Sequence, residues 1–136
     1  MSMRQMLVWL LRMAGVAMLS ALVFVFAPFE WMTAIHRWIG LGELDYTPLL
    51  SYLTRTLSAL YAILGAILLF MSLEPNRYRP LIRFLGVLAI VGGIGVTILG
   101  ATLRLPLFWA ATEGPLTVLL GIALIVLAIT RRGGRD

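Results

Sequence analysis

Residues 50–70 read LSYLTRTLSALYAILGAILLF, a run apolar enough to cross a bilayer but with a permanent cation, Arg55, about two turns inside its start. Whether this stretch is a membrane span decides the fold, and its neighbours settle the reading. Three further stretches of the same kind flank it, so the predicted spans are 6–27, 49–72, 81–103 and 108–130. Each is long enough to cover roughly 30 Å of hydrocarbon at about 1.5 Å per residue. A chain of 136 residues that is 61% hydrophobic and 12% charged, with a mean hydropathy of +0.99, has too little polar surface for a water-soluble globule. The expected fold class is therefore all-α: a polytopic membrane protein, a bundle of four transmembrane helices forming one domain over residues 1–136, with an amphipathic interfacial helix between the first two spans. The apolar part of the first stretch is longer than the h-region of a signal peptide, and no small-x-small site closes it before Pro28, so it reads as a helix.

Charge placement predicts the orientation. All eleven basic residues are arginines. Arg4, Arg12, Arg77, Arg79, Arg83, Arg131, Arg132 and Arg135 fall at the N-terminus, the second loop or the C-terminus, which four spans put on one side. Only Arg37, Arg55 and Arg104 belong to the other side, together with Glu30, Glu43, Asp45 and Glu113. The positive-inside rule then places both termini in the cytoplasm, and compact loops suit a prokaryotic inner membrane. Phospholipid headgroups are the expected partners of these arginines, and nucleic acid is not.

Several classes drop out on composition. An asymmetry of eight arginines to three argues against the dual-topology dimers of small multidrug exporters and fluoride channels. The absence of cysteine excludes thiol oxidation, disulfides and thiolate metal sites. A single histidine, His36, excludes a bis-histidine haem within one chain. No metal site and no cofactor are expected, and His36 reads as an interfacial residue.

The first loop carries the interfacial helix, over about 29–39. In PFEWMTAIHRWI (28–39), Trp31, Met32, Ile35, Trp38 and Ile39 share one arc, opposite Glu30, Thr33 and Arg37. The two tryptophans belong at headgroup depth. The helix is either a surface anchor or a lid over the outer leaflet. Gly40 and Gly42 end it, and Thr47-Pro48 reads as the N-cap and first position of the second span.

On that second span, Ser51, Thr54, Arg55, Ser58, Tyr61, Ala62 and Gly65 fall within roughly a 120° arc, while Leu53, Leu57, Leu60, Leu64 and Ile67 lie opposite. The small and polar stripe is expected to face the bundle and the leucines to face lipid. A buried arginine then needs a partner or a route to water. Glu113 is the expected partner, since both spans enter from the non-cytoplasmic side and the two residues lie at comparable depth. Glu113 opens the tripeptide Glu113-Gly114-Pro115, where the fourth span is expected to kink or restart, with a cavity beside it. On the third span, Gly86, Gly93 and Gly100 recur every seven residues as a helix-packing groove. Arg104 lies at its outer end. The candidate ligand-binding cluster is Arg55, Glu113, Tyr61, Ser58, Thr54 and Arg104, in the outer leaflet.

Tyr52, Leu53, Arg55, Leu57, Ser58, Ala59, Leu60, Tyr61, Ala62 and Gly65, with Glu113-Gly114-Pro115 opening the last span, make a pattern that resembles the small four-helix bacterial inner-membrane proteins of the DoxX-like families and related domains of unknown function. The resemblance implies the four-helix fold more than an activity, although some DoxX-like members are associated with quinone-linked oxidation. Three functional classes follow from the residues. One is a binding or accessory protein for a lipid, quinone or small amphiphile, or a subunit of a larger membrane complex. The second is a proton-coupled transporter, acting as a homodimer, with Glu113 as the titrating carboxylate. The third is an enzyme on a lipidic substrate using Glu113 or Tyr61, which the lack of a metal cluster, thiol or Ser-His-Asp set disfavours.

Overall fold

A computed structural model describes residues 1–129. The expected end of the last span at Thr130, and Arg131, Arg132 and Arg135, lie outside the described residues. Every regular element among those described is helical, in the order α1 (Met3–Leu19), α2 (Leu22–Phe26), α3 (Phe29–Trp38), α4 (Pro48–Leu73), α5 (Arg79–Thr102) and α6 (Leu107–Ile129). Four helices are long and apolar enough to cross a membrane: Met3–Phe26, formed by α1 and α2, then α4, α5 and α6. Large apolar side chains such as Leu53, Leu57, Leu60, Val91, Ile98 and Leu119 stand exposed on them. That surface suits lipid rather than water. The helix between the first two spans is the predicted interfacial one.

The chain forms two compact units, one of Leu11–Phe70 and one of Met1–Leu10 with Met71 onward. In the first, α1 and α4 touch backbone to backbone through a pair of glycines: a Cβ added to Gly65 would lie 2.6 Å from the Gly15 carbonyl oxygen and 2.5 Å from the Leu19 nitrogen. Leu11, Ala62 and Leu68 are buried in this unit. Leu53, Leu57, Leu60 and Ile67 are exposed, as expected of a lipid-facing leucine side, whereas Leu64 of the same expected set is half-buried.

In the second unit α5 and α6 pack antiparallel along glycines on both helices. Gly86 lies against Gly121 and Gly93 against Gly114, so closely that a Cβ on Gly93 would sit 2.7 Å from the Gly114 oxygen. Gly100 faces Ala110. The stripe of Gly86, Gly93 and Gly100 thus packs a helix, and its partner is the complementary stripe of α6. Gly114 therefore has a packing role that its position before Pro115 had hidden.

The span does not restart at Glu113-Gly114-Pro115. Helix α6 runs from Leu107 to Ile129 with Pro115 inside it. Proline removes one donor and crowds the carbonyl four residues back, a defect that neighbouring helices and hydroxyl side chains accommodate in apolar helices. Here Thr117 donates to the Glu113 oxygen at 2.8 Å and Thr112 to the Phe108 oxygen at 2.7 Å, and α5 supports the turn at Gly114. With no restart, the argument for a cavity from free backbone groups at this point falls away.

Two helices end in the same way. At α3, Gly40 (φ 79°) donates its N–H to the Arg37 oxygen and Leu41 donates to the His36 oxygen. At α5, Arg104 (φ 54°) donates to Ala101 and Leu105 to Gly100. Both are Schellman turns, which place one residue in the left-handed region and satisfy the last carbonyls. Glycine adopts that conformation freely. Arg104 does so against the steric preference of a side chain.

Candidate functional site

The site around Arg55 begins with a helix that has to end. Near Ser20 the first span tightens into i→i−3 hydrogen bonds, from Ala21 to Met18, Val23 to Ser20 and Phe24 to Ala21, and the Ser20 hydroxyl occupies the Ala17 oxygen at 2.7 Å. Helix α2 then stops at Ala27, whose ψ of 147° is extended. Pro28 causes this, since a residue before proline is driven out of the helical region. It also offers no N–H, so carbonyls of the last turn of α2 are left without intrahelical donors.

Arg55 supplies the donors. Its Nη1 donates to the Val25 oxygen, its Nη2 to the Ala27 oxygen at 3.0 Å, and its Nε to the Ser51 hydroxyl at 3.3 Å. Ser51 lies one turn earlier on α4, at the spacing that brings two side chains together on a helix. A cation at a helix C-terminus also opposes the negative end of the backbone dipole. Inside its own unit, the polar partners of this half-buried arginine are thus a pair of carbonyls and a hydroxyl. The ion pairs among the described residues are Arg37–Glu43 at 2.9 Å and Glu74–Arg77 at 3.7 Å, both exposed.

Helix α3 starts two residues beyond Ala27, so Arg55 grips the joint from which it departs. Phe29 and Met32 are buried, with Thr33, His36 and Ile39 half-buried on the same side. Trp31, Ile35 and Trp38 are exposed on a second sector, and Glu30 and Arg37 on a third. The helix therefore has three sectors: protein-facing, apolar and exposed, and charged. The expected single apolar arc divides, because Met32 turns inward with Phe29 while both tryptophans stay outside. The following loop folds back on α3: Tyr46 meets Phe29 edge to face at 5.3 Å, the Thr33 hydroxyl lies 3.4 Å from the Leu44 oxygen, and Arg37 pairs with Glu43. His36 donates through Nδ1 to the Met32 oxygen at 2.8 Å. No group of three or more potential metal ligands occurs among the described residues.

The other candidate residues are distributed as follows. Thr54 bonds back to the Leu50 and Ser51 oxygens of its own helix. Ser58 is half-buried on the Arg55 side of α4, and Tyr61 is 40% exposed at its margin. Glu113 and Arg104 belong to the other unit. Glu113 is half-buried, six residues into α6, or roughly 9 Å along it. Its carboxylate takes part in neither of the ion pairs among the described residues. Arg104 is exposed in the turn after α5.

No family model, curated protein or solved structure matches this chain.

The functional reading therefore rests on the chain's own chemistry. Val25, Ala27 and Ser51 complete the Arg55 site, and none of them figured in the sequence-derived cluster. The Ala27-Pro28 step was the available signal: a helix stopped by proline inside apolar surroundings leaves carbonyls that need donors.

Proposed function

We propose that this protein is a multi-pass protein of a prokaryotic inner membrane, with both termini cytoplasmic, that binds a lipid, quinone or small amphiphile by its polar head at Arg55 beneath α3. The distribution of arginines supports the orientation, and the four-helix architecture is of the kind found in DoxX-like proteins. One observation carries the binding reading: Arg55 is half-buried where a span meets an amphipathic helix, and carbonyls hold it in place without neutralising it. Arginine has five N–H donors, and the three bonds to Val25, Ala27 and Ser51 leave two for an acceptor oxygen on a ligand. The exposed Trp31, Ile35 and Trp38 of α3 offer such a ligand's apolar chain a surface.

A second reading is favoured by Glu113, a half-buried carboxylate within an apolar span that joins none of the ion pairs among the described residues. In a homodimeric carrier it would take up and release the coupled proton. Native mass spectrometry of gently extracted wild type, Arg55→Met and Glu113→Gln separates the two. Binding at Arg55 predicts a co-purifying lipophile that Arg55→Met loses and Glu113→Gln keeps. If wild type carries no more lipophile than Arg55→Met, and proton flux into vesicles depends on Glu113, the carrier replaces the binding protein.

A further inference from the structure

We propose that the N-terminal end of α5 carries a phosphate-binding site formed by Arg79 and Arg83, separate from the Arg55 site. Helix α5 spans Arg79–Thr102, has no acidic residue in its first turn, and its N-cap, Tyr78, makes no side-chain capping bond. The positive end of the helix dipole thus meets neither an acidic side chain in the first turn nor a side-chain cap. Yet the first turn and its surroundings hold Arg77, Arg79 and Arg83. Cations are unfavourable at that end of a helix, and Arg79 and Arg83, four residues apart, are neighbours on one face and repel each other.

The side chains are held rather than free. Arg79 donates through Nη2 to Asn76 Oδ1 at 3.0 Å, and Arg83 through Nη2 to the Ala128 oxygen of α6 at 3.1 Å. Nε of each is buried and has no hydrogen-bond partner among the described residues. Buried donors of this kind are ordinarily satisfied. The only carboxylate in this loop, Glu74, reaches Arg77 at 3.7 Å, and neither Arg79 nor Arg83 joins an ion pair among the described residues.

An anion suits this arrangement. A phosphate oxygen matches guanidinium donors with two parallel hydrogen bonds and also favours the helix N-terminus. The site stands at the end of an apolar span, where lipid phosphates lie, so the phosphate is either that of an anionic lipid headgroup or a free phosphate.

The test uses the full chain in zwitterionic detergent, titrated with phosphatidylglycerol, phosphatidylcholine or inorganic phosphate and read by native mass spectrometry and thermal shift. Wild type should retain phosphatidylglycerol at least about five-fold over phosphatidylcholine if the ligand is lipid, or be stabilised by millimolar inorganic phosphate if it is free. Arg79→Gln, which gives up a hydrogen bond to the exposed Asn76, should lose most of that preference while keeping wild-type ellipticity, and Arg79→Gln/Arg83→Gln all of it. Arg4→Gln, a control for general positive charge, should leave it intact. The site is refuted if Arg4→Gln weakens retention as much as Arg79→Gln, or if neither phosphatidylglycerol nor inorganic phosphate distinguishes wild type from the double variant.

Discussion

Adding one methyl group to Gly121 tests the packing that sets the register of α5 and α6. The new Cβ would lie 2.5 Å from the Gly86 oxygen and 2.8 Å from Ile90 Cγ1. The first of these is backbone and cannot rotate away. Restoring an ordinary separation of 3.4 Å requires the two helices to part locally by about 0.9 Å. A gap of that size forfeits about a quarter to a half of the dispersion well of each contact it opens. Overpacking of this type costs about 1–3 kcal/mol, against roughly 1 kcal/mol gained by replacing glycine with alanine in a helix. Gly121→Ala is therefore expected to lower stability by up to about 2 kcal/mol. Gly92 and Gly95 provide the control on the same pair of helices, since a Cβ at either meets nothing within 4 Å. There the propensity gain acts alone, and Gly92→Ala should raise stability by about 0.5–1 kcal/mol. Reversible unfolding in mixed micelles, followed by helix ellipticity as the denaturing detergent fraction rises, measures both. Equal midpoints for Gly121→Ala and Gly92→Ala would show that the glycine stripe is not a helix contact.

Two further substitutions test local conformation. Arg104→Gly relieves a side chain held at φ 54° and should raise the unfolding midpoint by the equivalent of about 0.5–1 kcal/mol, whereas Arg104→Val should lower it; identical midpoints for the three residues would rule out the left-handed turn. Pro115→Ala restores a donor for the Ala111 carbonyl within a continuous α6 and should stabilise by about 1–3 kcal/mol with unchanged ellipticity. A loss of helix content in Pro115→Ala would instead mean that the chain uses the proline to break.

The spans were legible because the signal for them is short-range and additive. An apolar run of sufficient length has to place its backbone donors and acceptors within itself once it leaves water, and four such runs are visible in the hydropathy of the chain. The seven-residue recurrence of Gly86, Gly93 and Gly100 likewise announced a contact face, since nothing else in an apolar helix needs so many absent side chains on one side. The leucine side of α4 and the existence of α3 followed from periodicity in the same way. Glu113-Gly114-Pro115 misled because each residue was weighed by its effect on an isolated helix. Gly114 is there for the approach of Gly93, and the proline is accommodated by a neighbour that sequence spacing does not display.

Sequence by itself determined that the chain is helical, that four of its helices suit a membrane, and that Arg55 would need polar company, because helix length, hydropathy and the cost of an isolated cation are properties of local composition. Only tertiary structure decided what that company is. The oxygens that Arg55 reaches belong to Val25 and Ala27, roughly thirty residues away, and every residue carries a carbonyl. Which carbonyls lack a donor depends on where a helix stops and which side chain is folded against that end, and these are facts of three-dimensional arrangement.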